Sequence, residues 1–155
     1  MNRPAWGAWA MGGSMEEPAE AFMRVWNNLT LMHQQHELTE VIYEKPILGA
    51  YATFELRFAL IGLAAHVDSW CLTHHVEARA CATGRWRKHF IGITRRPKSG
   101  DKTLKDFAME KCDELGLEYQ YHDTAEAHGI LDYRIAQHRV VPPWRLEKPM
   151  TRSMG

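Results

Sequence analysis

Three carboxylates stand out by type and position. Glu44 closes an apolar run, VIYEKP at residues 41–46, while Asp123 and Glu126 lie three apart in HDTAEA at 122–127. That spacing, at the start of an apolar-periodic helix, puts both carboxylates on one helix face. One carboxylate at a strand end plus two on a helix face form a minimal oxygen cage for Mg²⁺. Two such ions can hold a water and a phosphodiester in line for hydrolysis. Carboxylates pressed together without a cation repel and raise one another's pKa, so convergence would itself imply one. The same residues have a plainer reading. Glu44 is then a surface residue at a strand end, Asp123 caps a helix, and Glu126 sits in its first turn, where acids complement the helix dipole.

A second chemistry lies between residues 85 and 105. Arg85, Arg87, Lys88, Arg95, Arg96, Lys98, Lys102 and Lys105 meet a single acid there, Asp101, and Trp86 and Phe90 are interleaved. A local cluster of this kind seats a nucleic-acid backbone without reading its sequence. The alternative is a solvated basic helix and loop. Nine histidines invite a metal reading, but neither His33 with His36 nor His74 with His75 has a third ligand at zinc spacing, and no HExxH occurs. His33 and His36 read as helix-surface residues and His74-His75 as a helix end. His122 and His128 flank the acidic pair and could tune it.

The elements that must position these residues follow from periodicity. AWGAWAM at 5–11 reads as a short strand, broken by Gly12-Gly13. A helix is expected from 16 to about 38, with Phe22, Trp26, Leu29 and His33 on one face. Residues 40–44 form a strand whose near-continuous apolar run suits an interior position. The longest helix spans 51–74 and is apolar around most of its circumference. A strand follows at 76–80 (VEARA), then a short basic helix at 83–91 and a loop at 95–100 (RRPKSG). Asp101 or Thr103 caps the next helix, which Gly116 closes. Tyr119 and Tyr121 suggest a last short strand, and a final helix runs from 123 to about 137. Pro142-Pro143 stops further helix, so 1–138 is expected to be one domain and 139–155 a loose basic tail. Alternating strands and helices imply an α/β layer with 40–44 and 76–80 paired in parallel, and ligands beyond the carboxyl ends of the strands, where Glu44 stands.

Bulk properties set outer bounds. The 155 residues suffice for one domain with a substantial core. Lysine plus arginine equals aspartate plus glutamate at 19 each, so any nucleic-acid argument is local rather than global. Cys71, Cys81 and Cys112 are odd in number and lack CxxC spacing, which suits buried thiols in a reducing compartment. No signal-peptide pattern is visible, and the longest apolar run, 58–65, is too short for a bilayer. A cytoplasmic protein is expected.

The motifs in order are AWGAWAMGG, VIYEKP, LTHHVEARACATGRWRKHFIG, KSGDKTLKDFAMEKCDELG and HDTAEAHGILDY. Together they resemble the RuvC-type Holliday-junction resolvases, in particular the phage and prophage branch of that RNase H-like family. The resemblance covers about residues 3–133. It implies an RNase H-like mixed sheet flanked by helices, and Mg²⁺-dependent (or Mn²⁺-dependent) cleavage of branched DNA by a homodimer. It assigns Glu44 to the acidic end of the family's central fourth strand, and Asp123 and Glu126 to the pair opening its last helix, with Glu126 replacing the usual aspartate. It places the 85–105 segment on DNA, with Lys98 and Lys102 nearest the scissile phosphate. The family's first strand carries a metal-binding aspartate before a Gly-rich turn. Here the chain opens on what resembles the sequence after that strand, and its first aspartate is Asp68. The expectation is therefore a fold whose first central strand is absent from the chain as given. The competing expectation is a catalytically impaired DNA-binding or structural relative. A nuclease of the same fold acting on other nucleic acids is a third.

Overall fold

The structure, a computed structural model, describes Ala8 and residues 17–146. The expected strand at 5–11 and the end of the tail lie outside the described residues. The chain divides into two compact units, meeting in sequence between Cys81 and Ala82.

The first unit, over residues 17–81, has the order α1 (Ala19–His36), β1 (Glu40–Glu44), α2 (Phe54–Thr73), β2 (Glu77–Cys81). Helix α1 begins after Pro18 and ends at Glu37, which adopts the left-handed conformation at φ 49°. Thr53 starts α2 three residues later than periodicity suggests, because its side chain accepts the N–H of Leu56 at 3.2 Å. The two strands pair in parallel, as expected, with Glu40 opposite Glu77 and Glu44 opposite Cys81. Leu29, Trp70, Cys71 and Val76 are the buried centre, flanked by Val25, Trp26, Val41 and Val67. Both indole N–H groups between the helices are satisfied. Trp26 donates to His66 Nδ1 and Trp70 to Thr30 Oγ1, each at 2.9 Å. His33, expected on the helix surface, turns its ring edge toward Trp70 and His74 instead.

The second unit, over residues 82–146, is helical among the described residues: α3 (Thr83–Phe90), α4 (Leu104–Leu115), α5 (His122–Gln137), α6 (Pro143–Leu146). Of the two candidate caps for α4, Thr103 is used. It accepts from Asp106 N–H while the Asp106 carboxylate accepts from Thr103 N–H, a reciprocal capping box. Trp86 and Phe90 of α3 are fully buried and lie against Gly129 of α5. A Cβ there would meet Trp86 at 2.8 Å and Phe90 at 2.9 Å, so only glycine permits this approach. Ala108 and Cys112 of α4 are fully buried, and Cys112 Sγ lies 3.8 Å from the Ala125 carbonyl of α5.

Two expectations are corrected here. No strand forms at 119–121. Thr124 Oγ1 instead accepts the N–H groups of Gln120 and Tyr121 and donates to the Tyr121 carbonyl, which spends that backbone on starting α5. Pro142-Pro143 does not end the helical structure, since Pro143 occupies the first position of α6, where a missing N–H costs nothing. The three cysteines are free and buried, as expected. No helix among the described residues is long and apolar enough to cross a membrane.

Candidate nuclease site

Glu44 is the last residue of β1, where the Lys45 N–H continues the ladder to the Cys81 carbonyl at 2.7 Å. Beside it, within the first unit, lies a groove of about 380 Å³ lined largely by apolar side chains, among them Pro46, Ile47, Leu60 and Leu63. Tyr43 borders the groove and donates its hydroxyl to Asp68 Oδ1 at 2.8 Å. Burial, with Asp68 second, pushes that phenol up to about 12, so it remains a donor at neutral pH.

The other two carboxylates belong to the second unit and open α5. They differ sharply in environment. Asp123 projects into solvent with its side chain 77% exposed, near Lys105 Nζ at 3.7 Å and His122 Nε2 at 3.6 Å. Glu126 is buried, and its Oε1 accepts from Arg87 Nη2 at 2.8 Å. Arg87 comes from α3 and lies over the Trp86 ring, 5.2 Å from its centroid. Helix α5 presents Glu126 to α3 because Gly129, three residues further on, lets the helix close against Trp86 and Phe90. His128, expected to flank the acids, spends Nε2 on the Glu118 carbonyl at 2.8 Å and so braces the turn before α5.

Carboxylate oxygens are the right donors for a hard divalent ion. Among the described residues, no three His, Cys, Asp or Glu side chains gather to hold a metal ion. Within the second unit, each α5 carboxylate instead has a basic side chain beside it.

The predicted DNA-contacting residues separate into groups. Arg85, Lys88, Arg95 and Lys98 are exposed. Arg96, also exposed, ties down its own loop by donating to the carbonyls of Gly100 at 3.2 Å and Asp101 at 3.1 Å. Lys102 pairs with Glu110 at 2.5 Å and Lys105 with Asp123. Arg87 is the half-buried member of the eight, turned onto Glu126.

Sequence reasoning missed a second buried carboxylate. Asp132 is fully buried on α5 and accepts from Trp144 Nε1 at 2.8 Å and from Arg145 Nε and Nη2 at 2.8 and 2.6 Å. His89 Nε2 of α3 is also 2.8 Å from it. Burial alone would raise the Asp132 pKa. The bonds from Arg145, Trp144 and His89 outweigh burial and leave it below the usual carboxylate range, while Arg145 is raised in turn, chiefly by its bonds to Asp132. The signal was present, since Asp132 lies seven residues after Ala125 on the inward stripe of α5. The opening of the expected loose tail is thereby docked.

No protein-family model and no curated protein matches the chain. Solved structures do. A RuvC structure from Thermus thermophilus superposes with a TM-score of 0.67 at 16% identity, covering 88% of this chain and 79% of that one. The T. thermophilus RuvC in complex with a Holliday-junction substrate gives 0.63 at 18% identity, over 83% and 75%. At these identities the likeness is one of fold.

Proposed function

From the RNase H-like, RuvC-like fold that this chain has, we propose that it is a divalent-metal-dependent endonuclease of branched DNA. The observation that carries this reading is the likeness over 88% of the chain to a fold whose solved example includes a Holliday-junction complex. Residues 1–138 would form the nuclease domain. Glu44, Asp123 and Glu126 would hold Mg²⁺ or Mn²⁺. A bound divalent cation supplies Lewis-acid polarisation of the phosphodiester.

This chain's residues do the rest by position and charge. Arg85, Lys88, Arg95 and Lys98 offer exposed cations to phosphates, and the Arg96-tethered loop limits the entropy lost on contact. Lys102 and Lys105 can exchange their carboxylate partners for phosphate oxygens. Symmetric cutting of a four-way junction needs two sites, so a homodimer is part of the proposal.

One observation favours a second reading. The Arg87–Glu126 pair makes structural sense without metal, as it would in a relative that binds junctions without cutting them. A cleavage assay on a four-way junction and a matched linear duplex, with Mg²⁺ or Mn²⁺ and with Glu44→Gln as control, separates the two. The nuclease reading expects metal-dependent nicking of the junction that the mutant loses. Binding without cleavage favours the second reading, and neither binding nor cleavage by folded protein removes both.

A further inference from the structure

We propose that His89 is a proton-dependent phosphate contact: its outer nitrogen, Nδ1, adds a cation to the basic surface of α3 when the ring is protonated and removes it when the ring is neutral. The inference rests on the DNA-binding part of the reading above, which supplies the phosphate, and on no metal.

Three observations carry it. First, the ring is oriented from the core side. His89 Nε2 lies 2.8 Å from Oδ2 of Asp132, whose side chain is 0% exposed, while the His89 side chain is 30% exposed. Despite its burial, Asp132 is ionised at neutral pH, because the bonds from Arg145, Trp144 and His89 hold its carboxyl below the usual range. An ionised carboxylate only accepts, so Nε2 keeps its proton in both charge states of the ring. The proton that comes and goes is therefore the one on Nδ1. Among the described residues, the other neighbour of the ring is Tyr133, edge-on at 5.7 Å.

Second, His89 lies among the cations proposed to meet DNA. Arg85 and His89 are four apart on α3 and so are neighbours on its surface, and Arg85 and Lys88 are exposed. His89 is also in the last turn of α3, where the helix dipole favours a cation.

Third, the charges around the ring couple its proton to a phosphate. Asp132 and Tyr133 of α5 and Arg145 of α6 face it, with Arg85 and Lys88 on α3 itself. Asp132 attracts the imidazolium. Arg145, 2.6 Å from the same Oδ2, repels it, as do Arg85 and Lys88. A phosphate on this surface offsets the like charges, so proton and DNA favour each other's binding by the same factor. The contact is to backbone, so it strengthens binding to junction and duplex alike.

The test uses the full chain in EDTA. Affinity for a labelled four-way junction and a matched linear duplex is read by fluorescence anisotropy over a series of salt concentrations. From about pH 8 to about pH 6, across the ordinary imidazole value of about 6.5, wild-type affinity should tighten severalfold more than that of His89→Gln. Glutamine keeps an N–H for Asp132 but cannot take the charge. Over that range the wild-type slope of log affinity against log salt should steepen by about 1, for one further phosphate, and the slope of the variant by less. Imidazole nitrogen NMR of the wild type covers the case in which His89→Gln fails to fold: adding DNA should draw a proton onto His89 Nδ1. Folded His89→Gln with the wild-type pH and salt profile, or a wild-type His89 ring whose charge DNA leaves unchanged, overturns the contact alone. Wild-type protein that binds neither DNA at any pH overturns both the contact and the DNA-binding reading beneath it.

Discussion

Asp132 and Glu126 lie six residues apart on one helix, and their surroundings give them different work. Glu126 faces a single guanidinium, that of Arg87, whereas Asp132 is held by Arg145 and Trp144 of α6 and His89 of α3. Removing the Asp132 charge strands a guanidinium in a largely buried setting, so Asp132→Asn should cost about 3–5 kcal/mol at neutral pH, read by calorimetry. The sign of the pH effect follows from the lowered pKa. Its stabilisation is fully present above the unfolded carboxylate pKa of about 3.9, and is lost as pH falls through the still lower folded value. The stability gap between wild type and Asp132→Asn should therefore close in acid. A gap unchanged down to the lowest pH would mean that packing, not charge, dominates there. Cys112 illustrates the opposite outcome: burial pushes its thiol up to about 12, which fits a packing residue rather than a nucleophile.

At the scale of elements, α5 is the piece on which the second unit depends. It meets α3 at Gly129 and α4 through Ala125, and it carries two of the three carboxylates of the proposed site, Asp123 and Glu126. Gly129→Ala tests the close approach. Alanine gains about 1 kcal/mol of helix propensity, but overpacking against two fully buried aromatic rings costs about 1–3 kcal/mol. A lowered denaturation midpoint is expected, with junction binding weakened in parallel because α3 carries Arg85, Arg87 and Lys88. A midpoint at or above wild type would show that the rings yield easily. The existence and type of α1, α2 and α3–α5, and of both strands, were legible from periodicity and caps. The misread strand at 119–121 shows the limit. Tyrosine favours strands in general, but a single threonine, Thr124, claims the backbone there for a helix start.

At the scale of the whole molecule, α2 leaves an apolar stripe exposed. Phe54, Phe58 and Ile61 lie at four- and three-residue spacing, 75%, 51% and 49% exposed, and Phe54 stacks on Phe58. That spacing puts them on one face, and such a stripe is unusual on a monomer. The homodimer proposed above would seat its second copy on this stripe. Phe58→Glu is expected to convert a dimer to monomers in sedimentation velocity while leaving helical content unchanged. A wild-type chain that sediments as a monomer at all concentrations would remove α2 as the interface. Loss of the dimer should also reduce paired nicking of a junction more than binding to it.

The sequence by itself determined the types of α1 to α5 and of both strands, the parallel pairing of β1 with β2, the buried thiols and the acidic and basic stretches. These are properties of local spacing and composition, and a 3.6-residue or two-residue period survives without knowledge of any partner. Tertiary structure decided how each charge is spent. That Glu126 is buried on Arg87 while Asp123 stays in water, and that Trp144 and Arg145 return to Asp132, depends on which helices meet and how closely. Gly129 permits that closeness at α3 and α5. Charges interact through space rather than along the chain, so an arginine 39 residues from its glutamate leaves no periodic trace for sequence reading to find.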